Sequence, residues 1–146
     1  MDTLFAAAFL VRQFINLSLA LWPVGAIFIG LIIIAAFINR PISRRDLVKS
    51  FGYTTFLLIV TFTILLIGAA AHQPTLTHPN IGYQEPSSWV IQTTSILLII
   101  HIAASSRFLW QAKGYRFFAV ALAAFNIWLA LICTFLARMA ITGSWL

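Results

Sequence analysis

The sequence predicts an all-α integral membrane protein, a four-transmembrane-helix bundle with both termini on the non-cytoplasmic side, forming one membrane domain over residues 1–146. Three observations carry this. Hydrophobic residues fill 62 % of the 146 positions and charged residues only 8 %, whereas a soluble domain has about a quarter of its residues charged. The apolar residues fall in four runs, each close to the roughly 20 residues that cross the hydrocarbon core. No run alternates apolar and polar positions as a membrane strand does, which excludes a β-barrel.

The first run extends from about residue 14 to 38 and contains Pro23. Proline lacks a backbone donor and kinks a helix, which membrane helices tolerate. Residues 3–11 are apolar too, set apart by Arg12. They read as an interfacial turn or a helix extension; a signal peptide is disfavoured because a basic leading segment and a clean cleavage site are both missing. The remaining spans cover about residues 53–71, 89–108 and 117–137. Too little chain is left over for a soluble domain.

Charge orients the bundle. The 39–50 connection carries Arg40, Arg44, Arg45 and Lys49 against Asp46, and the 107–116 connection carries Arg107, Lys113 and Arg116. The 72–88 loop has no Lys or Arg and one Glu85, while Arg12 and Arg138 flank the other ends. Basic residues gather in cytoplasmic loops, so both basic connections face the cytoplasm of a bacterial inner membrane, or the equivalent side of an organellar one. The same placement argues against nucleic acid as a partner and leaves lipid headgroups as one. Trp89 and Trp145 fall where an outer aromatic belt belongs, Trp110 and Tyr115 where an inner one does. The outer loop, with Pro74, Pro79, Gly82 and Pro86, reads as an irregular turn.

Small residues mark where helices approach one another in lipid. On the fourth span Ala119, Ala123, Asn126, Ala130, Cys133 and Ala137 form one stripe at spacings of three and four. Its opposite side carries Phe118, Phe125, Trp128 and Leu136, suited to lipid or to a partner's groove. Thr54, Thr61 and Gly68 recur along the second span, Ala26 and Gly30 form a small-xxx-small pair on the first, and Thr94, His101 and Ser105 share a face of the third. Cys133 is the single cysteine, so no internal disulfide or CxxC site exists.

His101 is the candidate for chemistry, because an ionisable residue within a span is functional by default. It lies roughly 9 Å from the cytoplasmic end of its expected helix and Asn126 roughly 15 Å from the same side, about one turn apart. Haem ligation, quinone binding, proton relay and an inter-helix hydrogen bond all suit such a histidine. A haem held by two histidines of this chain fails on depth, since His72 and His78 belong to the outer end. Those two with Glu85 are candidate Cu²⁺ or Zn²⁺ ligands, but their spacings of six and seven fit no metal-site pattern. No GxSxG, P-loop or HExxH motif is present, and the spans contain no Asp or Glu, which argues against a carboxylate-coupled transporter.

The stretch His101-Ile-Ala-Ala-Ser-Ser-Arg107-Phe-Leu-Trp110 resembles the haem-ligand helix of the cytochrome b anchor of succinate dehydrogenase, a histidine six residues before an arginine at the helix end. The resemblance implies a haem b on His101 shared with a partner chain. That family has three spans and a serine–arginine pair for quinone in the preceding span; here that span has no arginine and an additional N-terminal helix is present.

By elimination, the expected role is a non-catalytic structural or accessory subunit of a larger inner-membrane complex of the energy-transducing or secretion type, partnered by other integral membrane subunits and lipid. A haem-b or quinone-associated anchor of a respiratory complex, using His101, stands second. A small oligomeric transporter or channel stands third.

Overall fold

Ser43-Arg44-Arg45-Asp46 starts a helix well before the chain becomes apolar. The Ser43 side chain accepts from the Asp46 N–H (3.1 Å) and donates to Asp46 Oδ2 (2.7 Å), an N-terminal cap that satisfies an otherwise orphan donor. The computed structural model describes residues 2–38, 42–73, 80 and 85–143. Among them the chain forms five helices and no strand: α1 (Asp2–Ala20), α2 (Trp22–Ile38), α3 (Arg44–Ala70), α4 (Ser88–Gln111) and α5 (Arg116–Thr142). α1, α3, α4 and α5 are each long and apolar enough to cross a membrane, and α2 is a shorter apolar helix. The chain is a multi-pass helical membrane protein.

The first span differs from expectation. Helix begins at Asp2, so residues 3–11 extend it, and it breaks at Leu21 into α1 and α2. Leu21 N still donates to Leu17 O (2.9 Å) and Gly25 N to Leu21 O (3.2 Å), but Pro23 has no N–H to offer Leu19 and its ring crowds that carbonyl. Leu10 shares a buried cluster with Leu65, Ala69, Leu136 and Ala140. Further along, Phe28 meets Phe125 and Trp128 at ring-centroid distances of 6.3 and 5.7 Å. Contacts thus move down α5 as they move up α1 and α2. The two helices form one kinked rod antiparallel to α5.

α3, α4 and α5 pack on one another as the centre of the bundle, α1 lies against α3 and α5, and α2 packs chiefly against α5. This accounts for most of the bulky side of α5, which holds the protein's own first span instead of lipid or a partner, while Phe118 packs on the cluster of Phe108 and Tyr115. Phe125 and Trp128 meet Phe28, and Leu136 is buried in the cluster around Leu10. At the end of the bundle where α4 meets α5, which the basic connections predict to be the inner one, Tyr53 stacks on Phe108 (3.9 Å, 6°) and Tyr115 meets the same ring edge-on (6.3 Å). Tyr115, expected in the aromatic belt, is 5 % exposed within this cluster, whereas Trp110 is 81 % exposed. The short α4–α5 connection turns the Tyr115 ring back under α4.

The opposite end, predicted to be the outer one, is fastened by one buried amide. Gln73 N donates to Ala140 O (2.9 Å) and Gln73 Nε2 to Ile141 O (2.9 Å), tying the exit of α3 to the last turn of α5, which Gly143 ends at φ 66°. A Gln73→Ala variant leaves the Ile141 carbonyl without this donor. It is expected to lose about 1–2 kcal/mol in reversible unfolding in detergent; an unchanged midpoint would remove the clasp from the account.

Candidate functional site

α4 has a divided surface, and lipid decides which side turns inward. Ile96, Ile99, Ile100 and Ile102 are exposed, while Thr94, His101 and Ser105 are buried. A polar side chain facing hydrocarbon has no partner there, so these three face the other helices. His101 lies ten residues before the end of α4 and Asn126 ten residues into α5, each about 15 Å from the inner helix end. The expected one-turn offset vanishes because α4 continues past its apolar run to Gln111.

His101 has no exposed surface. Its Nδ1 lies 3.5 Å from Thr61 Oγ1 on α3, at the outer limit of a hydrogen bond. Nε2 has no hydrogen-bond partner: the Asn126 backbone on α5 is a polar neighbour of the ring without reaching hydrogen-bonding geometry at that nitrogen. The Asn126 amide instead donates to Leu122 O (2.9 Å). On the inner side Ser105 Oγ donates to His101 O (2.9 Å) and receives the Tyr53 hydroxyl (2.9 Å). A file of polar groups therefore joins Tyr53, Ser105, His101 and Thr61 through the α3–α4 contact.

The α5 stripe is buried throughout: Ala119, Ala123, Asn126, Ala130, Cys133 and Ala137. On α3, Thr61 and Gly68 are buried and Thr54 half-buried. Gly68 and Ala137 mark a very close approach of the two helices, since a Cβ added at Gly68 would stand 2.6 Å from Ala137 Cα. Thr61, His101 and Asn126 thus come together, and Gly68 meets Ala137. Ala26 and Gly30 do not join them. Ala26 is exposed and nothing stands within 4 Å of a Cβ at Gly30. Gly25 takes the contact instead, with Trp128 3.5 Å from its added Cβ, because the roll that seats Phe28 on α5 turns Ala26 about 100° away.

No family model, curated protein or solved structure matches this chain. Function is read from its side chains alone.

Haem ligation by His101 would require this packing to open. The ring is enclosed between α3 and α5, so a flat macrocycle reaches Nε2 only if helices part. His72 lies at the outer end, its Nδ1 2.7 Å from Ala69 O, and lines a cavity of about 300 Å³ with Gln73, Glu85 and Trp89. His78 falls outside the described residues, among which no three His, Cys, Asp or Glu side chains converge as metal ligands.

Hydropathy averaging passed over two other polar positions. Gln13 and Asn16 on α1 line an open groove of about 420 Å³ with Phe9, Leu17, Phe135 and Met139. Their spacing of three places them on one helix face, a signal present in the sequence. Arg138 is satisfied differently, its Nη2 donating to Ser95 Oγ (2.7 Å). At the inner rim, outside the spans, burial pushes the Tyr115 hydroxyl above its ordinary value; hydrogen bonding with Ser50 opposes this and the Asp46 charge adds to it. Tyr115 therefore serves as a neutral group.

Proposed function

We propose that the chain is a non-catalytic accessory subunit that docks on other integral membrane subunits of a larger inner-membrane complex, of the energy-transducing or secretion type. Its basic connections face the cytoplasm and both termini the opposite side. The observation that carries this reading is the pair Gln13 and Asn16. Both line the outward groove between α1 and α5, and neither side chain has a hydrogen-bond partner among the described residues. A side-chain amide left unpaired against hydrocarbon is costly, and an adjoining helix with a polar group in register relieves that cost. The outward Ala26–Gly30 face of α2 supports the same reading, since it offers close backbone approach that no helix of this chain uses.

Mild-detergent pull-down with mass spectrometry tests the proposal. Integral membrane proteins should copurify in fixed stoichiometry, and a Gln13→Leu/Asn16→Leu variant should recover them about tenfold less well while its own unfolding midpoint holds. Recovery of the chain alone, or only as copies of itself, overturns the proposal.

A further inference from the structure

Two cations from different helices border one cavity at the inner rim, and no carboxylate is among the described residues that line it. The cavity, about 350 Å³, lies between the start of α3 and the end of α4. Lys49, Gly52 and Tyr53 share a face of α3 at spacings of three and four, and Ala104, Arg107, Phe108 and Gln111 repeat the pattern on α4. Lys49 and Arg107 are exposed and neither forms an ion pair among the described residues. Asp46, the carboxylate on this side, is engaged with Ser43 at the start of α3 (2.7 Å) and does not line the cavity.

The two levels of the cavity differ in chemistry. Tyr53 and Phe108, stacked at 3.9 Å, lie at the ends of the apolar runs and form an aromatic floor at acyl-chain depth. Gly52 and Ala104 leave room beside it. Lys49 and Gln111 lie about one turn further out, at headgroup depth, and Arg107, level with Phe108 on α4, borders the same cavity with a side chain long enough to extend toward them. A positive-inside signal requires only that basic residues be present in a loop. It does not require that two helices bring them together over an apolar slot. Free inorganic phosphate suits the cations and leaves the floor unused, and a zwitterionic lipid suits the floor without answering the net charge.

We infer that this cavity is a binding site for one anionic glycerophospholipid, its phosphate held between Lys49 and Arg107 and an acyl chain lying along Gly52 and Ala104 over the Tyr53–Phe108 floor. The lipid relieves the repulsion between the two cations and joins α3 to α4. The inference stands on the membrane fold and does not depend on the accessory-subunit reading.

Gly52 makes the test independent of charge. Nothing lies within 4 Å of a Cβ built there, so Gly52→Leu starts its side chain in open space and carries it into the slot. Native mass spectrometry of the full chain, titrated with phosphatidylglycerol or phosphatidylcholine, reads lipid binding directly. One phosphatidylglycerol should bind about 30-fold more tightly than phosphatidylcholine, the preference expected for two juxtamembrane cations. Gly52→Leu and Lys49→Gln/Arg107→Gln should each reduce that preference at least tenfold, and millimolar inorganic phosphate should not displace the lipid. Equal binding of the two lipids overturns the inference. So does a preference that survives in Gly52→Leu, or displacement by phosphate alone, which would assign the cavity to the free anion.

Discussion

Replacing Gly68 by valine is expected to be the most damaging single change in the bundle. The α3 and α5 backbones meet there so closely that an added Cβ would stand 2.6 Å from Ala137 Cα and 2.7 Å from Ala137 Cβ. The first of these atoms is backbone, so no rotamer change relieves the clash; the helices must separate. Separation also loosens Leu65, Ala69, Leu136 and Ala140, which are buried together within a turn of this approach, and strains the Gln73 clasp beyond them. The loss should reach about 3 kcal/mol, the upper end for overpacking a closed core, read by reversible unfolding in bicelles. Gly30→Ala is the matched control: nothing lies within 4 Å of its added Cβ, and alanine is the better helix former. Its stability should hold or rise. Equal losses at the two glycines would show that the α3–α5 approach does not set the cost, since helix propensity favours both replacements over glycine.

That contrast marks what the sequence discloses. Spacing showed which residues on α5 share a face, and Ala119 through Ala137 are buried because that face meets α3 and α4. Spacing alone does not name what a face meets. Ala26–Gly30 satisfies the same small-residue rule as Gly68, yet the kink at Pro23 and the seating of Phe28 roll it outward. Likewise, Phe125 and Trp128 are bulky enough for any partner, and they hold α2 of the same chain. Hydropathy marked where the chain is apolar, so it placed the second span from residue 53 and missed the helix that Ser43 and Asp46 start at Arg44. The same averaging hid Gln13 and Asn16 inside an apolar stretch and set His101 too near its helix end, since α4 keeps turning through Trp110 and Gln111 beyond the apolar run. Depth followed from counting residues; orientation about the helix axis needed the neighbours.

His101 carries the second large expected effect, and its size depends on the replacement. Alanine removes a fully buried side chain between α3 and α5, and the hole should cost about 3 kcal/mol, as for other large buried groups. Leucine nearly conserves the volume. It gives up the 3.5 Å contact with Thr61 and the ring's polar neighbour in the Asn126 backbone, and eliminates a nitrogen that has no hydrogen-bond partner. The Thr61 hydroxyl can then turn to the carbonyl four residues back, as Thr63 and Thr93 do at 2.8 Å. Stability of His101→Leu should therefore stay within about 1 kcal/mol of the parent, measured beside the alanine variant in the same bicelles. If the ring is a packing element, the leucine variant also leaves the visible absorbance of the purified assembly unchanged. A Soret band lost from a folded His101→Leu assembly would instead make the imidazole a haem ligand, and α4 and α5 would have to part around Nε2 to admit the macrocycle.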